Sequence, residues 1–135
     1  MRTYKLGNYQ AHKTDCSGFL MLSMKKMGLK VAGPQFDLAP NYPRFFKKCD
    51  PNNLKPGDLL LLNKPGRDPD HWIMVSSKGK WPSGDIEIMD VSSDYYGGKP
   101  YYKGKLKKRG NIQARRVYSC VRHKDMDQVS GLTSL

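Results

Sequence analysis

Acidic residues are scarce in this sequence: 12 Asp and Glu stand against 24 Lys and Arg, a formal charge of +12 over 135 residues. The imbalance says nothing of the fold, but it points to an anionic partner or surface. Nucleic acid, phospholipid, an anionic wall polymer and an acidic protein all fit. Long apolar runs are also missing. The longest unbroken aliphatic stretch is Leu59–Leu62, against the roughly 18 residues of a membrane span, so none is expected. Arg2 and Lys5 are not followed by an apolar segment, so no secretory signal peptide is read. Cysteines are few, at 16, 49 and 120. They are too scattered for a disulfide framework and lack the paired spacing of a zinc site. Leu, Ile, Val and Phe make up 27 of the 135 residues, or 20%, at the edge where highly charged chains stay disordered. Eight Tyr, seven Met and two Trp restore enough apolar area for one modest core.

What is present reads as one domain over residues 1–123 with a polar tail, 124–135, expected to fray. Thr14-Asp15 offers a helix N-cap. Beyond it Cys16, Phe19, Leu20, Met24 and Met27 recur at helical spacing, so Asp15–Met27 is expected to be an amphipathic helix stopped by Gly28. Residues 30–58 carry prolines at 34, 40, 43, 51 and 56 and are expected to be loop, packed back by Phe36, Tyr42, Phe45 and Phe46. Pro56-Gly57-Asp58 is a turn leading into a buried strand at Leu59–Leu62. Further strands are expected at His71–Ser76, Ile86–Val91 and Ile112–Arg122, with Tyr95–Gly110 as a basic connection. One helix ahead of an antiparallel meander predicts an α+β fold.

The chemistry centres on Cys16. At a helix N-terminus, free N–H groups and the helix dipole stabilise a thiolate, and the Ser17 N–H is placed to hold an oxyanion. The competing reading is a small buried side chain on the apolar face. His71 opens a strand whose partner follows from antiparallel pairing. Setting Ile73 opposite Ile88 and Val75 opposite Ile86 sets His71 opposite Asp90. Facing Cβ atoms lie roughly 5 Å apart, close enough for a carboxylate to orient an imidazole. A nucleophilic cysteine, a histidine base and a carboxylate orienter together describe a thiol hydrolase.

These motifs resemble the NlpC/P60 family of cysteine peptidases. Asp15-Cys16-Ser17-Gly18-Phe19 resembles its nucleophile motif, and Leu54-Lys55-Pro56-Gly57-Asp58-Leu59-Leu60 the turn into its first core strand. His71-Trp72-Ile73-Met74-Val75 is similar to its histidine strand, and Tyr4-Lys5-Leu6-Gly7 to the segment that lends a phenol to the site. Ala114-Arg115-Arg116-Val117-Tyr118 resembles the closing strand. There are departures: Asp90 stands where the family usually has His, Asn or Gln, and Asn8 where a second glycine is common. The resemblance implies a papain-like α+β fold, with the nucleophile helix packed on an antiparallel sheet. It also implies hydrolysis of amide bonds in peptidoglycan stem peptides, often between D-glutamate and a diamino acid, with neither a metal nor an organic cofactor. Cys16, His71 and Asp90 would be catalytic, Ser17 and Tyr4 accessory, and Asp15 and Trp72 substrate-binding; Trp81, with the loop Lys78–Gly84, is read either as lining the cleft or as a plain hairpin connection.

Eight cations lie between Lys99 and Arg116, with Tyr95, Tyr96, Tyr101 and Tyr102 among or just before them. Such a segment could track nucleic-acid phosphates while tyrosines stack on bases, but no recognition motif accompanies it. A role in steering the protein to an anionic wall is the preferred reading. Cys49 and Cys120 are read either as a disulfide or as two unrelated thiols, and His12 and His123 as surface residues. Without a signal peptide, action in the cell wall or periplasm implies delivery by lysis or specialised secretion. A phage lysin or tail hydrolase, or an antibacterial effector with an immunity or carrier protein, fits that route. The rival is a basic nucleic-acid- or surface-binding module without catalysis.

Overall fold

The computed structural model of the protein describes residues 16–31, 43–91, 101–110 and 112–129, with the backbone alone at 16–19, 22, 91 and 101. Helix α1 (Cys16–Lys26) carries Lys25 and Lys26 in its last turn, where cations favour the helix dipole. Gly28, with φ +85°, ends it. The Gly28 N–H donates to Lys25 O and the Leu29 N–H to Met24 O, the paired bonds of a Schellman cap. Leu29 and Met24 share a buried cluster, the apolar contact that usually accompanies such a cap.

Six strands follow: β1 (Phe46–Lys48), β2 (Leu59–Asn63), β3 (Pro69–Val75), β4 (Glu87–Val91), β5 (Tyr101–Lys105) and β6 (Arg116–His123). They form one antiparallel sheet in the order β1-β6-β2-β3-β4-β5. Because side chains alternate across a strand, the sheet builds a buried cluster on each face. One holds Leu59, Met74, Met89 and Val121 with Leu20, Met21 and Met24 of α1. The other holds Leu60, Leu62, Ile73, Val75, Ile88 and Cys120, with Ile86, Leu106 and Ile112 from the connections. A chain with few aliphatic residues thus uses them on both sides of a narrow sheet.

The turn before β2 is braced from several sides. The Gly57 N–H donates to Val75 O and the Val75 N–H to Asp58 O, so the turn is stitched to the end of β3. The Asp58 carboxylate accepts from the Lys55 N–H at 2.9 Å and from Arg122 Nη1 at 2.8 Å. Arg122 also donates to Pro56 O and Asp127 Oδ1. Burial pushes the Asp58 carboxyl above the usual carboxylate value, with Arg122 and Lys55 pulling it part of the way back. Burial opposes the charge of Arg122 as well, but Asp127 and Asp58 outweigh it and hold the guanidinium protonated. Gly57 has φ +99°, and a Cβ there would come within 2.6 Å of Met126 Cγ. Gly57→Ala is therefore expected to cost about 2 kcal/mol or more, from left-handed backbone strain and the displaced methionine. Urea unfolding at neutral pH would measure it, and an unchanged midpoint would contradict the account.

Several expectations need correction. The segment 30–58 contains a strand, β1, and the basic connection 95–110 contains β5 and a 3-10 turn at Leu106–Lys108. The tail is not frayed over its first half. A 3-10 turn at Met126–Gln128 buries Met126 over Gly57, and Val129 packs on the α1 cluster. His123 is buried rather than superficial. Its Nδ1 accepts the Asp125 N–H at 3.0 Å, leaving Nε2 to donate to Lys30 O at 2.7 Å. Cys49 and Cys120 form a disulfide with Cα atoms 5.0 Å apart. Thr14, His12, Phe36, Tyr42, Tyr95 and Tyr96 lie outside the described residues.

Candidate active site

His71 sits on β3, two residues after the strand begins, beside Leu62 of β2. Asp90 sits on β4 opposite Tyr102 of β5. The observed pairs are Met74 with Met89 and Val75 with Ile88, so the strands are offset by two residues from the predicted register. His71 and Asp90 are diagonal rather than direct neighbours. A two-residue slip preserves the face on which every side chain projects, whereas a one-residue slip would not. Both therefore still emerge in step with Ile73, Val75 and Ile88. His71 Nε2 lies 3.5 Å from Asp90 Oδ1, with the side chains 10% and 1% exposed. That is longer than a well-formed N–H···O bond. Catalytic contacts are commonly loose before substrate binds.

The second oxygen of Asp90 is also engaged. Arg109 Nε donates to Oδ2 at 2.8 Å, and both side chains are buried. Sequence reasoning missed this partner, because Arg109 falls within a run of cations read as a steering surface. Two other members of that run hold carboxylates: Lys107 pairs with Asp85 and Arg115 with Asp70. Lys107, with Lys105 adding to it, holds the exposed Asp85 below the ordinary carboxylate value. The segment is thus partly internal wiring.

The two tryptophans have packing partners. Trp72 projects with Met74 and packs against the α1 cluster, on the face opposite His71. Trp81 packs against the other cluster, and its indole N–H donates to Arg115 O at 3.0 Å. Two concavities among the described residues lie away from the pair. One is a hollow of about 270 Å³ beside Asp58 and Arg122, and another lies beneath the end of α1. Cys49, Asp58 and Cys120 offer donor atoms within 4.8 Å of one another, the metal-type trio found among the described residues, but both sulfurs belong to the disulfide. Cys16 begins α1 and is the one cysteine of the three outside that bond. Its side chain, that of Ser17, and all of Tyr4 and Asp15 lie outside the described residues.

A buried imidazole beside a buried carboxylate, on neighbouring strands of an antiparallel sheet, has the groups that general acid–base chemistry uses. The family model that matches this chain is that of the NlpC/P60 family, over residues 1–109. The chain belongs to the NlpC/P60 family, whose members are generally cell-wall peptidases. No curated protein and no solved structure matches it. No helix among the described residues is long and apolar enough to cross a membrane.

Proposed function

We propose that the protein is a papain-like thiol hydrolase that cleaves amide bonds in peptidoglycan stem peptides, of the D-glutamyl–diamino acid type. The buried His71–Asp90 pair, in a chain of this family, is the observation that carries the reading. Cys16 attacks the scissile carbonyl, the Ser17 N–H holds the oxyanion, and His71 passes the thiol proton to the leaving amine. Asp90 faces Nε2, so proton exchange with the thiol falls to Nδ1. Tyr4 is an accessory phenol, and Asp15 borders the cleft. Half-buried Trp72 and Trp81, each packed on one side against a core cluster, are the proposed substrate-binding residues.

The course of α1 supports this assignment. Lys30 O, just past the helix, receives the His123 bond at the end of β6, and the helix also touches β3 and β4. Helix α1 packs on the face opposite His71, so the reading requires thiol and imidazole to meet past an edge or end of the sheet. The Cys49–Cys120 disulfide suits work outside a reducing cytosol. A phage lysin or tail hydrolase and a secreted effector, the latter with an immunity or carrier protein, both fit.

Mass spectrometry of purified sacculi digested with the protein tests the reading. Fragments bearing a new amino terminus at the diamino acid are expected. Intact sacculi, together with DNA binding that weakens steeply with salt, would favour the nucleic-acid-binding alternative instead.

A further inference from the structure

Asp90 is 1% exposed and divides its two oxygens between two partners, His71 at Oδ1 and Arg109 at Oδ2. The second partner is delivered by dedicated local structure. Beyond β5 the chain forms the 3-10 turn Leu106–Lys108; buried Leu106 donates its N–H to Ile86 O, and the Arg109 N–H closes the turn onto Leu106 O. Gly110, with φ +71°, turns the chain away directly afterwards, and Arg109 Nη1 donates to Gly110 O at 3.2 Å. Arg109 is left 6% exposed beneath the sheet. Such a buried ion pair is an inefficient way to stabilise a fold, since apolar residues of similar volume serve as well or better. Its position, one carboxylate away from the candidate general base, gives it a chemical use.

We propose that Arg109 is a positioning residue of the hydrolase, acting on His71 through Asp90. The inference rests on the hydrolase reading above. The guanidinium clamps Oδ2, which fixes the carboxylate plane and aims Oδ1 at the imidazole. It also offsets the carboxylate's charge. An unneutralised carboxylate in this dry setting would bind imidazolium strongly and slow the return of its proton to the leaving amine. The ionisable neighbours that share these strand positions have partners of their own. Asp70 beside His71 on β3 pairs with Arg115 ahead of β6, and the Tyr102 hydroxyl on β5 donates to Lys105 O. Leu62 of β2, facing His71, carries no charge.

A double-mutant cycle read by pH profile tests the proposal, with a soluble L-Ala–D-Glu–diamino acid tripeptide as substrate. In Arg109→Gln the alkaline limb of kcat/KM is expected to move up by about one pH unit, with kcat falling more than KM changes. Asp90→Asn leaves the guanidinium facing the ring and should move the limb down. Combining both changes should return it close to its original place, and Arg109→Lys should retain most of the activity. If a single variant fails to fold, the doubly neutral variant and Arg109→Lys still report: a displaced limb in both overturns the proposal. So does an unmoved limb in the folded single variants. Cys16→Ala and His71→Ala are measured alongside. Turnover retained in those two would overturn the hydrolase reading itself, whereas their inactivity beside an unmoved limb removes the Arg109 role alone.

Discussion

Replacing Cys16 with alanine is expected to lower tripeptide hydrolysis by at least a thousandfold while leaving thermal unfolding almost unchanged. Removing a nucleophile takes away the covalent route altogether, and what remains is the modest rate help of binding and an oxyanion site. The fold should tolerate the change, because alanine is the best helix former and Cys16 takes no part in the disulfide. His71→Ala should be comparably severe, since the proposed mechanism passes the proton from the thiol to the leaving amine through that ring. Asp90 requires a gentler substitution. Asp90→Ala would take a buried carboxylate from the Arg109 guanidinium, 7% exposed as a side chain, and breaking a buried ion pair at one end costs about 3–5 kcal/mol. Lost activity in that variant would mix chemistry with unfolding, which is why Asn is the informative replacement. Wild-type turnover by a folded Cys16→Ala protein would sink the mechanism.

How much of this was legible in the sequence depended on which side chains were asked to be apolar. The α1 helix, its Gly28 stop and strands β2, β3, β4 and β6 follow from periodicity, because each must bury a face. The two strands that went unread, β1 and β5, are the two edges of the sheet. Edge strands are commonly short and lysine-bearing, which discourages pairing with other chains. Phe46-Lys47-Lys48 and Tyr101-Tyr102-Lys103-Gly104-Lys105 therefore resemble loop. The register of β3 on β4 was missed for a related reason. Ile86 is as buried as a strand residue, but it lies in the connection, packed over Gly79 with its carbonyl accepting from Leu106. An apolar pattern does not separate burial in a strand from burial in a loop. Parity alone protected the His71–Asp90 pairing. Arg109, Arg122 and His123 were invisible because charged and polar residues are mostly exposed, and their partners lie 19, 64 and 93 positions away in sequence.

Removing the Cys49–Cys120 disulfide, by replacing both residues with alanine, is expected to cost about 4 kcal/mol of folding stability. The bond joins residues 71 positions apart, and cross-linking so long a stretch restricts the unfolded chain strongly. Against the 5–15 kcal/mol of a typical domain that is a large share. The location adds to the effect. Continuing the β1–β6 register past Lys48 and Val121 sets the two cysteines directly opposite each other, with the Cys49 N–H donating to Cys120 O at 2.9 Å. Strand β1 has three residues, and of these Phe46 alone is buried. Without the bond, its hold on the sheet reduces to that side chain and a short ladder. Thermal unfolding with and without a reducing dithiol reads the effect. Reductant should lower the wild-type midpoint and leave the doubly substituted protein where it is. The Cys16→Ala background keeps a third thiol from reshuffling the result. In a chain that retains Cys16, the doubly substituted protein should still hydrolyse the tripeptide while folded. A wild-type midpoint in the disulfide-free protein would show the bond to be idle. Lost turnover in its folded form would move the chemistry away from Cys16, so one pair of variants separates the cysteines that hold the sheet from the one assigned to the reaction.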